Sequence, residues 1–242
     1  MTATGQRIRA VLFDKDGTLF DFHQVWVPAY RAAARLVAEA AGQPARAAWL
    51  LEASGFDPAS GRFAPSSPLI SGAADEISGE WAALLGPGAP ADIAGIVERT
   101  FDAWSVREVP PAADLEALFS VLSGRGLKLG IATMDSRAAL EATLSRHPWR
   151  RYLAFTCGYD SGFGHKPGAG MVRAFAAALR LDAAAVAVVG DSLADIRLAR
   201  AAGAGLALAV ATGATPAALL AAEADAVLPG IAALEAHLAA LA

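Results

Sequence analysis

Short apolar runs alternate with longer amphipathic stretches along most of the chain. The runs that predict strands cover 8–13, 127–133, 152–157, 185–189, 205–210 and 226–228. Each run is almost continuously apolar, which is typical of parallel strands covered on both faces. The stretches between them show helical periodicity and end at glycine or capping residues. This alternation predicts an α/β fold with a doubly wound, Rossmann-like parallel sheet.

One long segment interrupts this alternation directly after the first predicted strand. Helices are predicted over 28–41, 45–53, 73–85 and 91–106, and none of the intervening sequence alternates as a strand does. Pro28 is predicted in the first turn of the first helix, and a Gly-, Pro- and Ser-rich loop covers 55–71. The sequence therefore predicts a core of residues 1–18 and 107–242 and an inserted α-helical cap of residues 19–106.

Composition excludes several classes of protein. The net charge is −4 and the lysines and arginines are scattered, so nucleic acid is not an expected partner. The single cysteine, Cys157, cannot form an intrachain disulfide, and we expect it to be a buried apolar side chain. No secretory pattern precedes residue 8, and the uncharged stretch 201–222 contains glycines and a proline. We therefore expect a soluble cytoplasmic protein without a membrane partner.

Polar side chains follow the predicted strands at the points where those strands end. They are Asp14, Asp16, Thr133, Lys166, Asp191 and Asp195. Each of them, taken alone, is also compatible with a helix cap or a solvated charge. The carboxyl ends of parallel strands nevertheless share one edge of a sheet, which is where such folds bind their ligands. We therefore expect these residues to form one site.

The first strand ends in two aspartates, Asp14 and Asp16. On an extended strand they would point to the same side, and Lys15 to the other side. Two like charges at this spacing repel each other unless a cation or a shared proton compensates them. The pair therefore predicts a bound divalent cation, a proton held on one of the two carboxylates, or both.

The polar residues at the strand ends lie in stretches that resemble motifs I to IV of the haloacid dehalogenase (HAD) superfamily. The resemblance covers residues 8 to about 210. The matching stretches are D-K-D-G-T-L at 14–19, the strand ending in Thr133, Lys166 with Pro167, and G-D-S-L-A-D at 190–195. The resemblance implies that Asp14 is the nucleophile and that Asp16 is the general acid and base. It also implies that Thr133 and Lys166 hold the phosphoryl group.

The resemblance further implies a Mg²⁺ ion. Asp14, Asp191 and the backbone carbonyl of Asp16 would bind it, and Asp195 would be either a ligand or a nearby acidic partner. Carboxylate and carbonyl oxygens are the ligands that Mg²⁺ prefers.

Comparison within the superfamily narrows the expected reaction. The presence of Asp16 favours phosphoryl transfer over dehalogenation. No lysine lies between Lys15 and Lys128, which disfavours a phosphonoacetaldehyde hydrolase and also a sugar phosphomutase. The chain then resembles the phosphoglycolate phosphatase-like group, in which a helical cap follows motif I. We expect a phosphatase that hydrolyses a small phosphorylated metabolite through an aspartyl phosphate.

Two alternatives stay open: a sugar phosphomutase, and a non-catalytic module that binds phosphate or a partner. The expected oligomeric state is a monomer or a homodimer.

The stretch F-D-F-H-Q-V-W at 20–26 departs from the short polar pair usual in the group, which puts 2-phosphoglycolate in doubt as substrate. Its aromatic residues either pack the cap against the connection through which the chain enters it, or line a substrate pocket. The candidates for substrate contacts are His23, Trp26, Arg31 and Arg62.

Overall fold

The computed structural model describes residues 7–241. Its strands are β1 (Ala10–Phe13), β2 (Phe56–Asp57), β3 (Arg62–Phe63), β4 (Lys128–Ala132), β5 (Leu153–Cys157), β6 (Val186–Gly190), β7 (Leu206–Val210) and β8 (Ala226–Leu228). Six of these form a parallel sheet in the order β5-β4-β1-β6-β7-β8. This confirms the predicted doubly wound α/β sheet and places β1 at its centre.

Helices cover both faces of this sheet. The helices between residues 7 and 241 are α1 (Phe22–Ala40), α2 (Ala47–Ala53), α3 (Ala74–Leu85), α4 (Ile93–Ser105), α5 (Leu115–Gly124), α6 (Arg137–Leu144), α7 (Gly170–Leu179), α8 (Leu193–Ala202), α9 (Ala217–Glu223) and α10 (Leu234–Ala240). Those that pack on the sheet are α5 to α10. Val11 and Phe13 of β1 pack in a cluster with α5, α6 and α10. Ala10 and Leu12 point to the opposite face and pack with α7, α8 and α9. Both faces of β1 are therefore buried, which explains its continuous apolar sequence.

The helices α1 to α4 have an apolar cluster of their own. All of its fully buried members come from residues 22–101. The two ends of this segment lie side by side, since the Ala112 N–H donates to the Leu19 carbonyl at 2.8 Å. Both observations support the division into a core and a cap, which stays a prediction. Residues 1–6 and 242, which that prediction assigns to the core, lie outside the described residues.

Two local predictions within this segment are wrong. Helix α1 begins at Phe22 rather than at Pro28, because the Asp21 carboxylate caps it by accepting the Gln24 N–H at 3.0 Å. Pro28 therefore lies inside the helix. The predicted loop over 55–71 contains the antiparallel pair β2 and β3, in which the rings of Phe56 and Phe63 lie 5.0 Å apart. Strands of two residues are too short to show an alternating pattern.

Between residues 7 and 241, none of the helices combines the length and the apolar character needed to cross a membrane. Cys157 is fully buried at the end of β5, as expected. Burial raises the pKa of its thiol to about 12.

Candidate active site

Three neighbouring strands of the sheet end in polar residues. Thr133 follows β4, Asp14 follows β1 and Asp191 follows β6. Backbone hydrogen bonds to the neighbouring strand fix Asp14 and Thr133. The Asp14 N–H donates to the Val189 carbonyl of β6 at 2.8 Å, and the Thr133 N–H donates to the Cys157 carbonyl of β5 at 3.0 Å. The three side chains therefore meet at one edge of the sheet.

All six predicted strand-end residues line a single cavity at this edge. They are Asp14, Asp16, Thr133, Lys166, Asp191 and Asp195. Each of these side chains is buried. The sequence therefore predicted which residues come together, although their chemical roles stay proposals.

Three of the carboxylates form a compact cluster. Asp14, Asp191 and Asp195 each offer an oxygen, and these oxygens lie within 4.8 Å of one another. Burial, together with the neighbouring carboxylates, raises the pKa of Asp191 well above its ordinary value. Burial likewise raises the pKa of Asp14 to about 7, against the opposing effect of Lys166. Because these carboxylates crowd together in a buried place, the donor set fits a divalent cation that takes oxygen ligands.

Lys166 supplies the positive charge at this cluster. Its Nζ lies 2.5 Å from Asp14 Oδ1 and 2.6 Å from Asp195 Oδ1. Burial alone would lower the pKa of Lys166, but these two carboxylates raise it above its ordinary value. The ammonium group therefore stays charged at neutral pH.

The backbone closes tightly around Asp191. A Cβ atom on Gly17 would lie 2.4 Å from the Asp191 carboxyl group, and one on Gly213 would lie 1.7 Å from its Oδ2. Gly17 also has a φ of +88°, which favours glycine. The Thr18 hydroxyl donates to Asp191 Oδ1 at 3.3 Å. Both glycines are therefore required to let the chain approach this carboxylate.

Asp195 lies in the first turn of α8 and has donors at both carboxylate oxygens. Its Oδ2 accepts hydrogen bonds from the N–H of Ser192 at 3.1 Å and from the hydroxyl of Ser192 at 2.6 Å. Its Oδ1 accepts from Lys166. Ser192 in turn caps the helix by accepting the Asp195 N–H. These contacts engage both carboxylate oxygens of Asp195, and its role as a metal ligand or as an acidic partner stays a prediction.

Asp16 belongs to a second group of charges. Lys15 Nζ lies 3.0 Å from Asp16 Oδ1 and 2.8 Å from Asp135 Oδ2. The prediction that Lys15 points away from Asp16 is therefore wrong. The reason is that β1 ends at Phe13, so the alternation of a strand does not extend to residue 15.

Asp135 was not among the predicted site residues. It lies near the end of β4 beyond Thr133, and burial raises its pKa to about 6 against the effect of Lys15. Its position in the sequence could have identified it as a site residue, because it follows the end of a strand as the other site residues do.

Trp26 is the one residue of the four substrate candidates that the structure places in the cavity lining. It lies there with Phe22 and Tyr30, which are four residues before and after it on α1. This spacing puts the three rings on one face of the helix. The aromatic stretch thus both packs the helical segment and lines the cavity.

His23, Arg31 and Arg62 are not among the residues that line the cavity, and their role as substrate contacts stays a prediction. His23 is exposed beside the ring of Phe63, and the Arg31 guanidinium lies over the ring of Phe56 at 5.7 Å. Arg62 is exposed on β3. These residues lie away from the helix face that covers the cavity.

Helix α4 contributes further lining residues that the sequence did not reveal. They are Glu98, Phe101, Asp102 and Ser105. Their spacing of three and four residues marks one helix face. That pattern could have identified them as a group, but not the direction in which they face.

Comparisons with known proteins add an independent observation. The sequence pattern of the haloacid dehalogenase-like hydrolases matches residues 8–203. A search of curated proteins finds no significant match. A proposed phosphoglycolate phosphatase from Lactobacillus plantarum is a similar solved structure, with a TM-score of 0.71 and 22% identity, covering 96% of this chain and 100% of its own.

Two further solved structures are similar. A predicted phosphoglycolate phosphatase from Haemophilus somnus has a TM-score of 0.68 and 17% identity, with 95% of this chain and 97% of its own covered. CbbY from Rhodobacter sphaeroides, solved in complex with phosphate, has a TM-score of 0.64 and 23% identity, covering 94% of this chain and 96% of its own. At these identities the similarity concerns the fold. The family match over 8–203 shows that the chain is an enzyme of the haloacid dehalogenase-like hydrolase family.

Proposed function

We propose that the enzyme is a Mg²⁺-dependent phosphatase that hydrolyses a small phosphate monoester through an aspartyl phosphate on Asp14. One observation carries this proposal. Asp14, Lys166 and Asp191 share one buried cavity, with Lys166 Nζ 2.5 Å from Asp14. A nucleophile, a cation for the phosphoryl oxygens and a carboxylate for a metal are the parts that this chemistry requires.

The residues present fit the metal. The carboxylates of Asp14 and Asp191, together with the backbone carbonyl of Asp16, would hold Mg²⁺. When bound, Mg²⁺ offsets the repulsion between these carboxylates and the phosphate dianion. Lys166 and Asp195 form an ion pair with no net charge. The metal would therefore balance the negative charge of Asp14 and Asp191.

Asp14 attacks the phosphorus atom in the proposed first step. The bond from phosphorus to Asp14 forms while the bond to the alcohol oxygen breaks. The Lys166 ammonium and the Thr133 hydroxyl hold the phosphoryl oxygens, where negative charge is present in the transition state. Asp14 is buried at the cavity, and a substrate that fills the cavity would exclude competing water from its carboxylate.

Asp16 moves the proton in both proposed steps. It protonates the departing alkoxide, and it then takes a proton from the water that cleaves the aspartyl phosphate. Its carboxylate lines the cavity, and Lys15 holds it from behind. The ion pair therefore orients the acid–base group toward the leaving oxygen.

The segment 19–106 acts as the cap in this proposal. Trp26, Tyr30 and Phe101 from this segment line the same cavity as Asp14. The leaving group would therefore contact the cap while the phosphoryl group contacts the sheet edge.

Hydrolysis of p-nitrophenyl phosphate tests the proposal. We expect activity with Mg²⁺, loss of activity with EDTA, and loss of activity in Asp14→Asn. An exposed carboxylate on α2 gives the matched control, Glu52→Gln, which should keep full activity. Wild-type activity in Asp14→Asn would contradict the mechanism. Dependence on a bisphosphate activator would indicate a phosphomutase, and stabilisation by orthovanadate without any turnover would indicate a binding module.

A further inference from the structure

The side of the cavity formed by α4 is negatively charged. Glu98 and Asp102 line it from this helix. Lys166 is the one cationic side chain among the lining residues of this cavity, all of which lie within residues 7–241. Lys166 is paired with Asp14 and Asp195 and is assigned to the phosphoryl group. A leaving group would therefore meet uncompensated carboxylates.

Hydrogen bonds from the sheet edge hold both carboxylates in place. Glu98 Oε1 accepts the hydroxyl of Tyr159 at 3.2 Å, and Asp102 Oδ1 accepts the hydroxyl of Ser136 at 2.8 Å. Ser136 and Tyr159 lie in the segments that follow β4 and β5. Burial, followed by the charge of Glu98, raises the pKa of Tyr159 to about 12, so its hydroxyl remains a donor. Glu98 is exposed and Asp102 is half-buried, and the two hydrogen bonds hold both carboxylates at the rim of the cavity.

Aromatic rings cover the same side. Trp26, Tyr30 and Phe101 line the cavity, and the ring of Phe101 lies 5.3 Å from that of Trp26 and 5.4 Å from that of Tyr30. The faces of such rings attract cations, and tryptophan does so most strongly. Aromatic rings next to carboxylates form a suitable environment for a positively charged nitrogen.

We propose that the substrate is the phosphate monoester of a small alcohol that carries a cationic nitrogen. This inference rests on the phosphatase function proposed above. The nitrogen lies near Glu98, Asp102 and the aromatic rings, while the phosphoryl group lies at Asp14 and Lys166. Hydrolysis breaks the bond between phosphorus and the alcohol oxygen, and water supplies the oxygen and proton that complete inorganic phosphate and the amino alcohol.

An anionic leaving group fits this cavity poorly. The carboxylate of glycolate would face Glu98 and Asp102 without a second cation to pair with, and like charges at close range repel each other. The cavity has a volume of about 60 Å³, which also favours a small alcohol. The charge argument disfavours 2-phosphoglycolate, whereas the volume limits only the size of the leaving group.

Steady-state kinetics with three probes test the proposal: phosphoethanolamine, phosphocholine and 2-phosphoglycolate. We expect kcat/KM to be at least about tenfold higher for one of the two cationic esters than for 2-phosphoglycolate. Equal values, or a preference for 2-phosphoglycolate, would overturn the inference.

Two variants show whether the carboxylates determine this preference. We expect Glu98→Gln and Asp102→Asn each to reduce the ratio of kcat/KM between the cationic ester and 2-phosphoglycolate several-fold, mainly through KM. A merely structural effect would lower both values equally and leave the ratio unchanged, which would contradict the assignment. Glu52→Gln is the matched control, because Glu52 is an exposed carboxylate of α2 outside the cavity lining.

Calorimetry on Asp14→Asn separates this inference from the proposed function. Binding without turnover should again favour phosphoethanolamine or phosphocholine over 2-phosphoglycolate. If the wild-type enzyme hydrolyses none of the probes or p-nitrophenyl phosphate but shows this binding preference, the phosphatase function fails and the ligand class stands. If the wild-type enzyme hydrolyses p-nitrophenyl phosphate but shows no preference, the ligand class fails and the function stands.

Discussion

The Lys15 ammonium group lies 2.8 Å from a carboxylate oxygen of Asp135, and this contact joins the segments that follow two neighbouring strands, β1 and β4. Lys15 also contacts Asp16 at 3.0 Å. All three side chains are buried. One cation therefore compensates two carboxylates inside the protein, and it orients the proposed acid–base residue.

Replacing Lys15 with Met should destabilise the fold. The change leaves Asp16 and Asp135 buried without a counter-charge, which costs about 3–5 kcal/mol. Urea unfolding measures the effect, and adding Asp135→Asn to the variant should recover part of the loss. Lys128→Met is the control, because Lys128 is exposed at the start of β4. Equal stability of Lys15→Met and wild type would show that the ion pairs do not stabilise the protein.

Replacing Gly213 with Ala should weaken metal binding. The new Cβ would occupy the position of Asp191 Oδ2 and displace the carboxylate. We expect the Mg²⁺ concentration for half-maximal activity to rise by about 10- to 100-fold, as for other disturbed ligand supports. Gly79→Ala is the matched control, since no atom lies within 4 Å of its added Cβ. That change in α3 should stabilise the protein by about 0.5–1 kcal/mol. An unchanged Mg²⁺ requirement in Gly213→Ala would argue against Asp191 as a ligand.

Replacing Lys166 with Met should abolish most of the activity. The phosphoryl oxygens lose their cationic partner in a buried site, where one such contact contributes about 10²–10³ in kcat. Hydrolysis of p-nitrophenyl phosphate at saturating Mg²⁺ measures the loss. Arg35→Met, at an exposed position on α1, should retain full activity. A Lys166→Met variant with near wild-type kcat would remove Lys166 from the proposed mechanism.

Acid should weaken the contact between α8 and the end of the sheet through Asp225. Partial burial opposes its ionisation, but hydrogen bonds from Arg200 and the Ala207 N–H lower its pKa below 3.8. Because the pKa is lower in the folded state, the carboxylate stabilises the fold above pH 3.8, and this contribution disappears as the pH falls further.

The variant Asp225→Asn should therefore be less stable than wild type at pH 7, and the difference should shrink at pH 3. Urea unfolding at the two pH values measures it, with Glu52→Gln as the exposed control. A difference that is as large at pH 3 as at pH 7 would show that the charge of Asp225 is not responsible.

The position of the site was predictable from the sequence, and the reason is geometric. Asp14, Thr133 and Asp191 each follow an apolar run, and parallel strands bring such positions to one edge whatever their separation in the chain. Only the assignment of strands was needed, and every strand of the large sheet is long and apolar enough to be recognised.

The cap side of the site was not predictable in the same way. His23 and Arg31 are polar residues near the first motif, but only one face of α1 covers the cavity, and it carries Phe22, Trp26 and Tyr30. Which face points inward depends on how α1 packs against α4, a contact between residues that are distant in sequence. The predicted direction of Lys15 is wrong for a related reason, because β1 ends at Phe13 and the alternation of a strand does not reach residue 15.

The backbone hydrogen bond between Ala112 and Leu19 has a consequence for how this architecture can vary. It joins the two ends of the segment that lies between β1 and α5, with 2.8 Å between its nitrogen and oxygen atoms. The entropy of closing a loop rises only slowly with its length, by roughly 0.6 kcal/mol for each doubling. The intervening ninety or so residues can therefore be shortened, extended or exchanged at little cost to the sheet. The sheet edge that carries Asp14 and the segment proposed to contact the leaving group can thus change independently of each other.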